Sequence, residues 1–520
     1  MNRLLRLCWP LILVLLVGTG SGVSAQGLLP YSQAVADRFP PPAERPNTPG
    51  LQPGRQTWTD NQELADALRA IAARGAARLL VIGHSGTGLP LLALHYSRGA
   101  GRPVALLIGQ QHGNEPAGGE ALLALAGQLA DPRHPLAAVL DRLDVVLLPR
   151  ANPDGAQLNR RVNAAGLDVN RDHLLLRTPE AEALAELQRS LQPVLVVDAH
   201  EHIALGRYMP KFGGIKGHDL LIQYATTPNL PPALTQAAET LFRQPLLQAL
   251  DRAGLSHEWY YTNPTAPTER LLTMGGIQPD LARNTSGLKH AVSFLLESRG
   301  FDLHRLHAER RVHSHVVALH SLLASGAAQA DALLALQARA GAEVAAQACQ
   351  GVFVVEGRPT REQRDIRLLD PDTGADKTLR VDWDSALQIQ PLRTRARPCG
   401  YWLAPNATEA VARLHRLGVL VRTLPAAQTL QVEQYRETAR GEAPRLDTLG
   451  RVRDPYAVQR VGVALEAGTL RAEAGSFYVP LDQPLAALVV AALEPDTQNS
   501  WFAHRLLPGL DAVQRVMVRP

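Results

Sequence analysis

The chain has 520 residues, of which 46% are hydrophobic and 20% are charged, and its formal net charge is +4. These proportions are typical of a globular protein and exclude wholesale disorder, and the length allows two or three domains. The small net charge, without a basic stripe carrying interleaved aromatic residues, gives little support for a nucleic-acid partner.

The first 25 residues have the pattern of a secretory signal peptide. Arg3 and Arg6 precede an apolar run at residues 11–17, and small residues then lead to Ala25. This order matches the charged, apolar and cleavage regions of such a peptide, and the apolar run is too short to span a bilayer comfortably. We therefore expect cleavage after residue 25, an exported (periplasmic or secreted) protein, and no membrane span in the mature chain.

The next segments alternate between helical and strand patterns. A proline-rich surface arm is predicted for residues 26–59, a helix for 61–75, and two strands around a glycine-rich turn for 77–99. Buried-looking strands are then predicted near residues 104–109, 143–149, 194–200 and 289–298, with helices at 116–130 and 179–191. Strands without in–out alternation, separated by helices, indicate an α/β fold with a mixed, largely parallel sheet flanked by helices.

The C-terminal third of the chain has a different pattern. A helix-rich stretch follows residue 304, of which 326–349 is predicted to be a helical linker. Short strand-like runs such as "VFVVEG", "LQIQPL", "YWLAP", "GVLVRTL" and "SFYVPL" then predict a β-rich α+β accessory domain over residues 350–520. Cys349 and Cys399 could pair in an exported protein or remain two separate thiols, and the sequence leaves both alternatives open.

Polar side chains follow several of the predicted strands. His112 lies just past the strand at 104–109, His200 and Glu297 end two later strands, and Arg150 ends another. Ligands of open α/β sheets bind at the carboxyl ends of the strands. We therefore expect these residues to lie near one site.

The residue types suggest a zinc centre. A catalytic zinc ion takes imidazoles and carboxylates and keeps one position open for water, so His112, Glu115 and His200 could share one ion. Glu297, as a carboxylate without a metal bond, could then transfer the proton. His112-x-x-Glu115 is a weak motif alone, His202 shares a strand face with His200, and a structural role remains open for each histidine taken singly.

Five motifs in a fixed order strengthen this interpretation. "HGNE", "NPDG", "RVNAAGLDVNRD", "DAH" and "LLESRG" resemble the carboxypeptidase A-like zinc metallocarboxypeptidase family, here in a bacterial, exported form, over roughly residues 60–320. The resemblance implies a catalytic domain at 60–325 that holds one zinc ion through His112, Glu115 and His200. It also implies that Glu297 is the general acid/base, while "NPDG" reads as a structural turn.

The same resemblance assigns four further residues. Arg161 would polarise the scissile carbonyl and stabilise the oxyanion, and Asp168 would orient His112. Asn170 and Arg171 would bind the terminal carboxylate of the substrate, for which a planar guanidinium offers a two-pronged match. Asn114 departs from carboxypeptidase A, which has an arginine there, and Tyr260 or Tyr261 could be the mobile tyrosine of the family.

The predicted activity is the removal of a C-terminal residue from a peptide or a peptidoglycan stem by a zinc-activated water. Two alternatives remain at this stage. One is a zinc amidohydrolase of the aspartoacylase and succinylglutamate desuccinylase type, which acts on N-acyl amino acids. The other is a non-catalytic relative that only binds peptides.

Overall fold

The computed structural model describes residues 30–266, 268–445 and 456–520. The predicted signal peptide, residues 1–25, lies outside the described residues. The described part of the proline-rich arm contains helix α1, Gln33–Ala36, and buries Val35 and Phe39 in an apolar cluster with Ile215 and Leu303. The arm is therefore attached to the body of the protein by its own side chains.

Helices and strands are intermixed as far as α11, and strands dominate afterwards. The α-helices that follow α1 are α2 Asn61–Ala73, α3 Pro116–Ala130, α4 Pro153–Gln157, α5 Pro179–Leu191, α6 Tyr208–Phe212, α7 Pro232–Ala237, α8 Gln244–Arg252, α9 Ala282–Leu288, α10 Ala308–Ala328, α11 Ala330–Ala346, α12 Thr408–Leu417 and α13 Ala486–Leu493. The strands are β1 Arg78–His84, β2 Pro90–Tyr96, β3 Val104–Gly109, β4 Asp144–Leu148, β5 Leu195–His202, β6 Ile215–Lys216, β7 Leu220–Tyr224, β8 His257–Trp259, β9 Tyr261–Thr262, β10 Leu271–Met274, β11 Val292–Arg299, β12 Val352–Leu369, β13 Asp376–Ala396, β14 Gly400–Leu403, β15 Arg422–Thr423, β16 Gln428–Ala443, β17 Val458–Ala472, β18 Phe477–Pro480 and β19 Val513–Val516.

The central sheet has eight strands in the order β1-β2-β4-β3-β5-β11-β7-β8. Its middle strands β4, β3, β5 and β11 are mutually parallel. Strand β2 is antiparallel to β1 and β4, and β7 is antiparallel to β11 but parallel to β8. The mixed, largely parallel α/β sheet predicted from the sequence is confirmed. Parallel order places the carboxyl ends of β3, β5 and β11 at one edge, where loops can converge.

Both faces of this sheet are covered. Ala105 and Leu107 of β3 join one apolar core with α2, α3 and α10, whereas Leu106 and Ile108 join another with residues of α5. Since successive strand residues point to opposite faces, a strand buried on both sides must be apolar throughout. This is why the run at 104–109 shows no alternation.

The C-terminal strands form two further sheets. The long hairpin β12–β13 joins β6, β9 and β10 in a five-stranded sheet, and β14 to β19 form a six-stranded sheet. Strands from either side of residue 350 thus pair directly, so the domain boundary at that residue stays a prediction. The run "GVLVRTL" is mostly not a strand, because Gly418 (φ 94°) ends α12 and only Arg422–Thr423 pairs in the sheet.

The C-terminal sheet packs against the loop that follows Asn170. Leu174 and Leu175 share a buried apolar cluster with side chains of the six-stranded sheet and of α13. Trp501 Nε1 donates to the carbonyl of Leu174 at 2.9 Å, and Arg445 Nη2 donates to Asp280 Oδ2 at 2.5 Å. These contacts connect the accessory region to two loops near the carboxyl ends of the central strands.

Cys349 and Cys399 form a disulfide with an S–S distance of 2.03 Å, so the paired alternative is the one observed. The bond joins the segment after α11 to the start of β14. Among the described residues, no single helix is long and apolar enough to cross a membrane. Helices α10 and α11 satisfy a criterion of length and composition only when taken together, and their axes differ by 79°.

Candidate metal centre

The candidate site lies at the carboxyl ends of β3, β5 and β11. His112 and Glu115 belong to the loop between β3 and α3, and His200 lies near the end of β5. Glu297 of β11 pairs in register with His200. Neighbouring residues in register on parallel strands point to the same face, so the fold brings together the four residues that the sequence singled out.

Three of these residues form a compact donor group. His112 Nδ1, Glu115 Oε2 and His200 Nδ1 lie 2.8–3.0 Å from one another. All three side chains are buried, and in the described part of the chain they are the group whose donor atoms could hold one metal ion. Two imidazoles and one carboxylate are a typical donor set for catalytic zinc, so these residues fit that ion.

A carboxylate lies behind each imidazole. His112 Nε2 is 3.1 Å from Asp168 Oδ1, and His200 Nε2 is 2.8 Å from Asp198 Oδ2. A carboxylate at Nε2 fixes the proton there and leaves Nδ1 as a lone-pair donor, which is the arrangement found around metal-binding histidines. This second observation also supports a metal at the Nδ1 atoms.

Glu115 and Glu297 have opposite electrostatic environments. Burial opposes the ionisation of Glu115, but His112 and His200 hold its pKa below the usual range. Burial and the charge of Glu115 raise the pKa of Glu297 to about 8. One carboxyl group is therefore held ionised, as a metal ligand would have to be, while the other can change its protonation state near neutral pH.

Arg161 connects the donor group to its supporting carboxylate. Its Nη1 donates to Glu115 Oε1 at 3.1 Å, and its Nη2 lies 3.0 Å from Asp168 Oδ2. Burial disfavours the charged form, yet Asp168 and Glu115 raise the pKa of Arg161. A guanidinium fixed beside the donor atoms supplies positive charge where an oxyanion could form.

Asn170 and Arg171 differ in what they offer to a ligand. Asn170 Oδ1 accepts from the Ala282 backbone at 2.8 Å, and its Nδ2 donates to Asp198 Oδ2 at 3.0 Å. Its amide is thus committed to contacts within the protein. Arg171 is half-buried and lines the cavity that contains the donor group, with Nη1 donating to the Asn170 carbonyl at 2.8 Å.

The remaining sequence candidates lie at different places. Tyr260 and Tyr261 both line the cavity, but Tyr261 is buried in the core against Trp383. Burial and the charge of Glu297 raise the pKa of Tyr260. Arg150 donates to Gln110, Asn61 and Thr59 and has a structural role. The side chains that line the cavity with the donor group do not include Arg150 or Asn114.

Sequence reasoning missed three residues near the site. Asp198 shares a strand face with His200, so the spacing in "VVDAH" could have indicated it. Lys216 and Arg283 line the cavity from β6 and α9. Lys216 lies in a strand of only two residues, and Arg283 lies in a helix that begins without a side-chain cap, so neither element has a local sequence pattern that predicts it.

The NPDG segment is a structural turn, as the sequence predicts. Asn152 caps α4 by accepting from the Gly155 backbone at 2.8 Å. Its Nδ2 also donates to the Gln111 carbonyl at 3.1 Å, so the turn supports the loop that carries His112.

Comparison with known proteins agrees with this geometry. A family model described as zinc carboxypeptidase matches residues 64–201. Carboxypeptidase 2 of Trichophyton equinum is 30% identical over 403 residues, which are 77% of this chain and 73% of the relative. Carboxypeptidase SOL1 of Arabidopsis thaliana is 33% identical over 169 residues, 29% of this chain and 34% of that one.

Solved structures include a metallo-carboxypeptidase from Burkholderia cenocepacia, at 20% identity and a TM-score of 0.41 over 52% of this chain and 69% of that one. The family resemblance read from the five motifs is confirmed by the sequence relatives. This chain belongs to the zinc carboxypeptidase family and is a zinc-dependent metallocarboxypeptidase, with the His112, Glu115 and His200 group as its possible metal site.

Proposed function

We propose that the protein hydrolyses the C-terminal peptide bond of peptides, with Glu297 as the general acid/base. The observation that carries the proposal is the register of β5 and β11, which sets Glu297 beside His200 while leaving it outside the donor group. A carboxylate next to a metal site but free of it can accept and return protons.

His112, Glu115 and His200 would hold the zinc ion, and Asp168 and Asp198 would orient the two imidazoles. When bound, zinc lowers the pKa of a water molecule and supplies a nucleophile at neutral pH. Glu297 would take the proton of that water and deliver it to the leaving amine. Burial raises the pKa of Glu297, which supports this role because a desolvated carboxylate is a stronger base.

Two arginines would stabilise the negative charges of the substrate and of the reaction intermediate. Arg161, beside Glu115, would stabilise the developing oxyanion, since a fixed cation there requires no reorganisation when the charge appears. Arg171, on the cavity wall, would bind the terminal carboxylate and thereby select chain ends over internal peptide bonds. The contacts of Asn170 support a positioning role at Asp198 more than direct binding of the substrate.

The variant Glu297→Gln tests the acid/base role. We expect it to keep its zinc, because Glu297 is outside the donor group, and to lose roughly 10²–10⁴-fold in kcat. Glu343→Gln, an exposed glutamate of α11, is the matched control and should behave as wild type. Retention of full activity by Glu297→Gln would remove Glu297 from the mechanism.

Substrate comparison separates the proposal from its alternatives. A carboxypeptidase should cleave peptides with a free C-terminus, reject their C-terminal amides, and not prefer N-acyl amino acids. Preferential cleavage of N-acyl amino acids would instead indicate an amidohydrolase of the aspartoacylase type. Tight peptide binding without turnover, in protein shown to contain zinc, would indicate a binding protein.

We also propose that the protein is exported and acts on peptides or peptidoglycan stems in the periplasm or outside the cell. The disulfide between Cys349 and Cys399 supports an oxidising compartment, where such bonds persist. Fractionation of cells that express the full chain, followed by analysis of the N-terminus of the mature protein, tests this proposal. A mature N-terminus near residue 26 is expected.

A further inference from the structure

The cavity that contains the metal donors has an unbalanced charge. Arg171, Lys216 and Arg283 all line it, and within the described ranges none of the three has a carboxylate at ion-pair distance. Three acidic residues line the same cavity: Glu115 pairs with Arg161, Glu201 pairs with Arg311, and the charge of Glu297 acts on Lys216 and Arg283 without an ion pair to either. The three cations therefore outnumber Glu297 and one substrate carboxylate taken together.

Arg283 is the clearest case. It is only 4% exposed, its Nη2 donates to the Gly276 carbonyl at 2.6 Å, and its Nε has no hydrogen-bond partner among the described residues. The guanidinium lies so close to Gly275 that an added Cβ there would be 2.8 Å from Nη2 and 2.9 Å from the ring of Tyr260. A buried cation with an unused donor is costly, and an anionic ligand would offset that cost.

Lys216 adds to the positive character of the same cavity. It is 2% exposed, donates to the Tyr261 carbonyl at 2.7 Å, and lies over the rings of Tyr208 and Tyr261. Burial lowers the pKa of Lys216 to about 7, so an anion bound nearby would favour its charged form. A cationic occupant of the cavity would be repelled by both Lys216 and Arg283.

We propose that this cavity selects peptides whose C-terminal residue is glutamate or aspartate, with Arg283 binding the side-chain carboxylate. The inference rests on the proposed function, in which Arg171 binds the main-chain carboxylate and leaves Arg283 for a second one. A guanidinium forms two parallel hydrogen bonds with a carboxylate, and a neutral amide of the same shape cannot match its charge. A lysine side chain in this position would meet two cations.

The kinetic test uses four substrates of the form benzoyl-Gly-X, in which the C-terminal residue X is glutamate, glutamine, phenylalanine or lysine. Glutamate and glutamine have the same shape, so their ratio of kcat/KM isolates the charge. We expect glutamate to be preferred roughly ten- to a hundredfold, the range that a charge-assisted hydrogen bond provides. Lysine should be the poorest substrate.

The variant Arg283→Gln should bring the glutamate-to-glutamine ratio close to one, whatever its absolute rate. Arg252→Gln, an exposed arginine at the end of α8, is the matched control and should keep the wild-type ratio. A wild-type ratio near one would overturn the inference. So would an unchanged ratio in Arg283→Gln accompanied by an equal loss on every substrate, because Arg283 would then bind the main-chain carboxylate.

A binding measurement separates this inference from the proposed function. Calorimetric titration of the zinc-loaded protein with L-glutamate and with L-glutamine, the amino acids that hydrolysis would release, requires no turnover. We expect glutamate to bind at least about tenfold more tightly in wild type and equally in Arg283→Gln. Preference for glutamate without hydrolysis of any peptide would overturn the peptidase proposal alone. Equal binding of the two by wild type would overturn the acidic preference.

Discussion

The pair of His200 and Asp198 gives a quantitative test of the metal centre. His200 Nε2 lies 2.8 Å from Asp198 Oδ2, and both side chains are only 1% exposed. Water therefore cannot replace the carboxylate if it is removed. Loss of such a partner typically weakens metal binding ten- to a hundredfold, or ~1.4–2.7 kcal/mol.

Two substitutions divide this effect into its parts. Asp198→Asn keeps an oxygen that can accept from Nε2, so only the negative charge is lost and a decrease of about tenfold in zinc affinity is expected. Asp198→Ala also removes the acceptor for Nε2 and for Asn170 Nδ2, so its effect should approach a hundredfold. Asp66→Asn on the exposed face of α2 is the control.

The assay is a competition for zinc between metal-free protein and a chromophoric chelator, which reports tight affinities directly. Thermal unfolding of the metal-free variants shows whether the substitution has damaged the fold. If Asp198→Ala, correctly folded, binds zinc as tightly as wild type, then Asp198 does not orient a metal-binding imidazole. The assignment of His200 Nδ1 as a donor would lose its main support.

Three further predictions concern the charges, the loops and the stability of the protein. Arg161→Lys removes the guanidinium that contacts both Glu115 and Asp168. We therefore expect kcat to fall roughly 10²–10³-fold and KM to change less. Steady-state kinetics measure both constants, and an unchanged kcat would refute the role of Arg161. Gly113→Ala should lower both the Tm and the zinc affinity, because the added Cβ would lie 1.9 Å from the Gly155 backbone. Gly127→Ala is the control and should change neither, because a Cβ added there would have no atom within 4 Å. Burial lowers the pKa of His173 to about 4, below the value of about 6.5 in the unfolded chain, so the unfolded state binds more protons between those pH values. The stabilisation from this neutral histidine is complete above pH ~6.5 and decreases by about 1.4 kcal/mol for each pH unit below it. The Tm of His173→Asn relative to that of wild type should therefore rise between pH 8 and pH 5, and a difference in Tm that does not change with pH would contradict the assignment.

The central sheet could be predicted because its signal is local. A strand covered on both faces must be apolar at every position, and residues 104–109 and 195–197 meet that condition within a few residues. Helices α3 and α5 begin at Pro116 and Pro179, where proline suits the first turn. Once the strand order is parallel, convergence of His112 and His200 follows.

The rest of the fold depends on pairings between distant residues. Strands β6 and β10 are short: β6 pairs with β12, and β10 pairs with β13 as well as with the two-residue strand β9, so each depends on a partner more than a hundred residues later. A two-residue strand has no periodicity of its own, so Lys216 could not be assigned to a cavity wall. Likewise, Arg150 follows a strand as a site residue would, but Gln110 and Asn61 accept its hydrogen bonds and hold it away from the metal donors.

The packing of the C-terminal sheet on the loop after Asn170 has a consequence for truncated forms of this protein. In a chain that ends after α11, Leu174 and Leu175 would lose the C-terminal side chains that cover them, and the Leu174 carbonyl would lose Trp501. The exposed apolar surface would promote self-association. Asp280 would also lose Arg445, which tethers the loop preceding α9. We therefore expect a chain that ends after α11 to be less stable than the full chain, and exchange of the C-terminal part between relatives would have to preserve both sides of this contact.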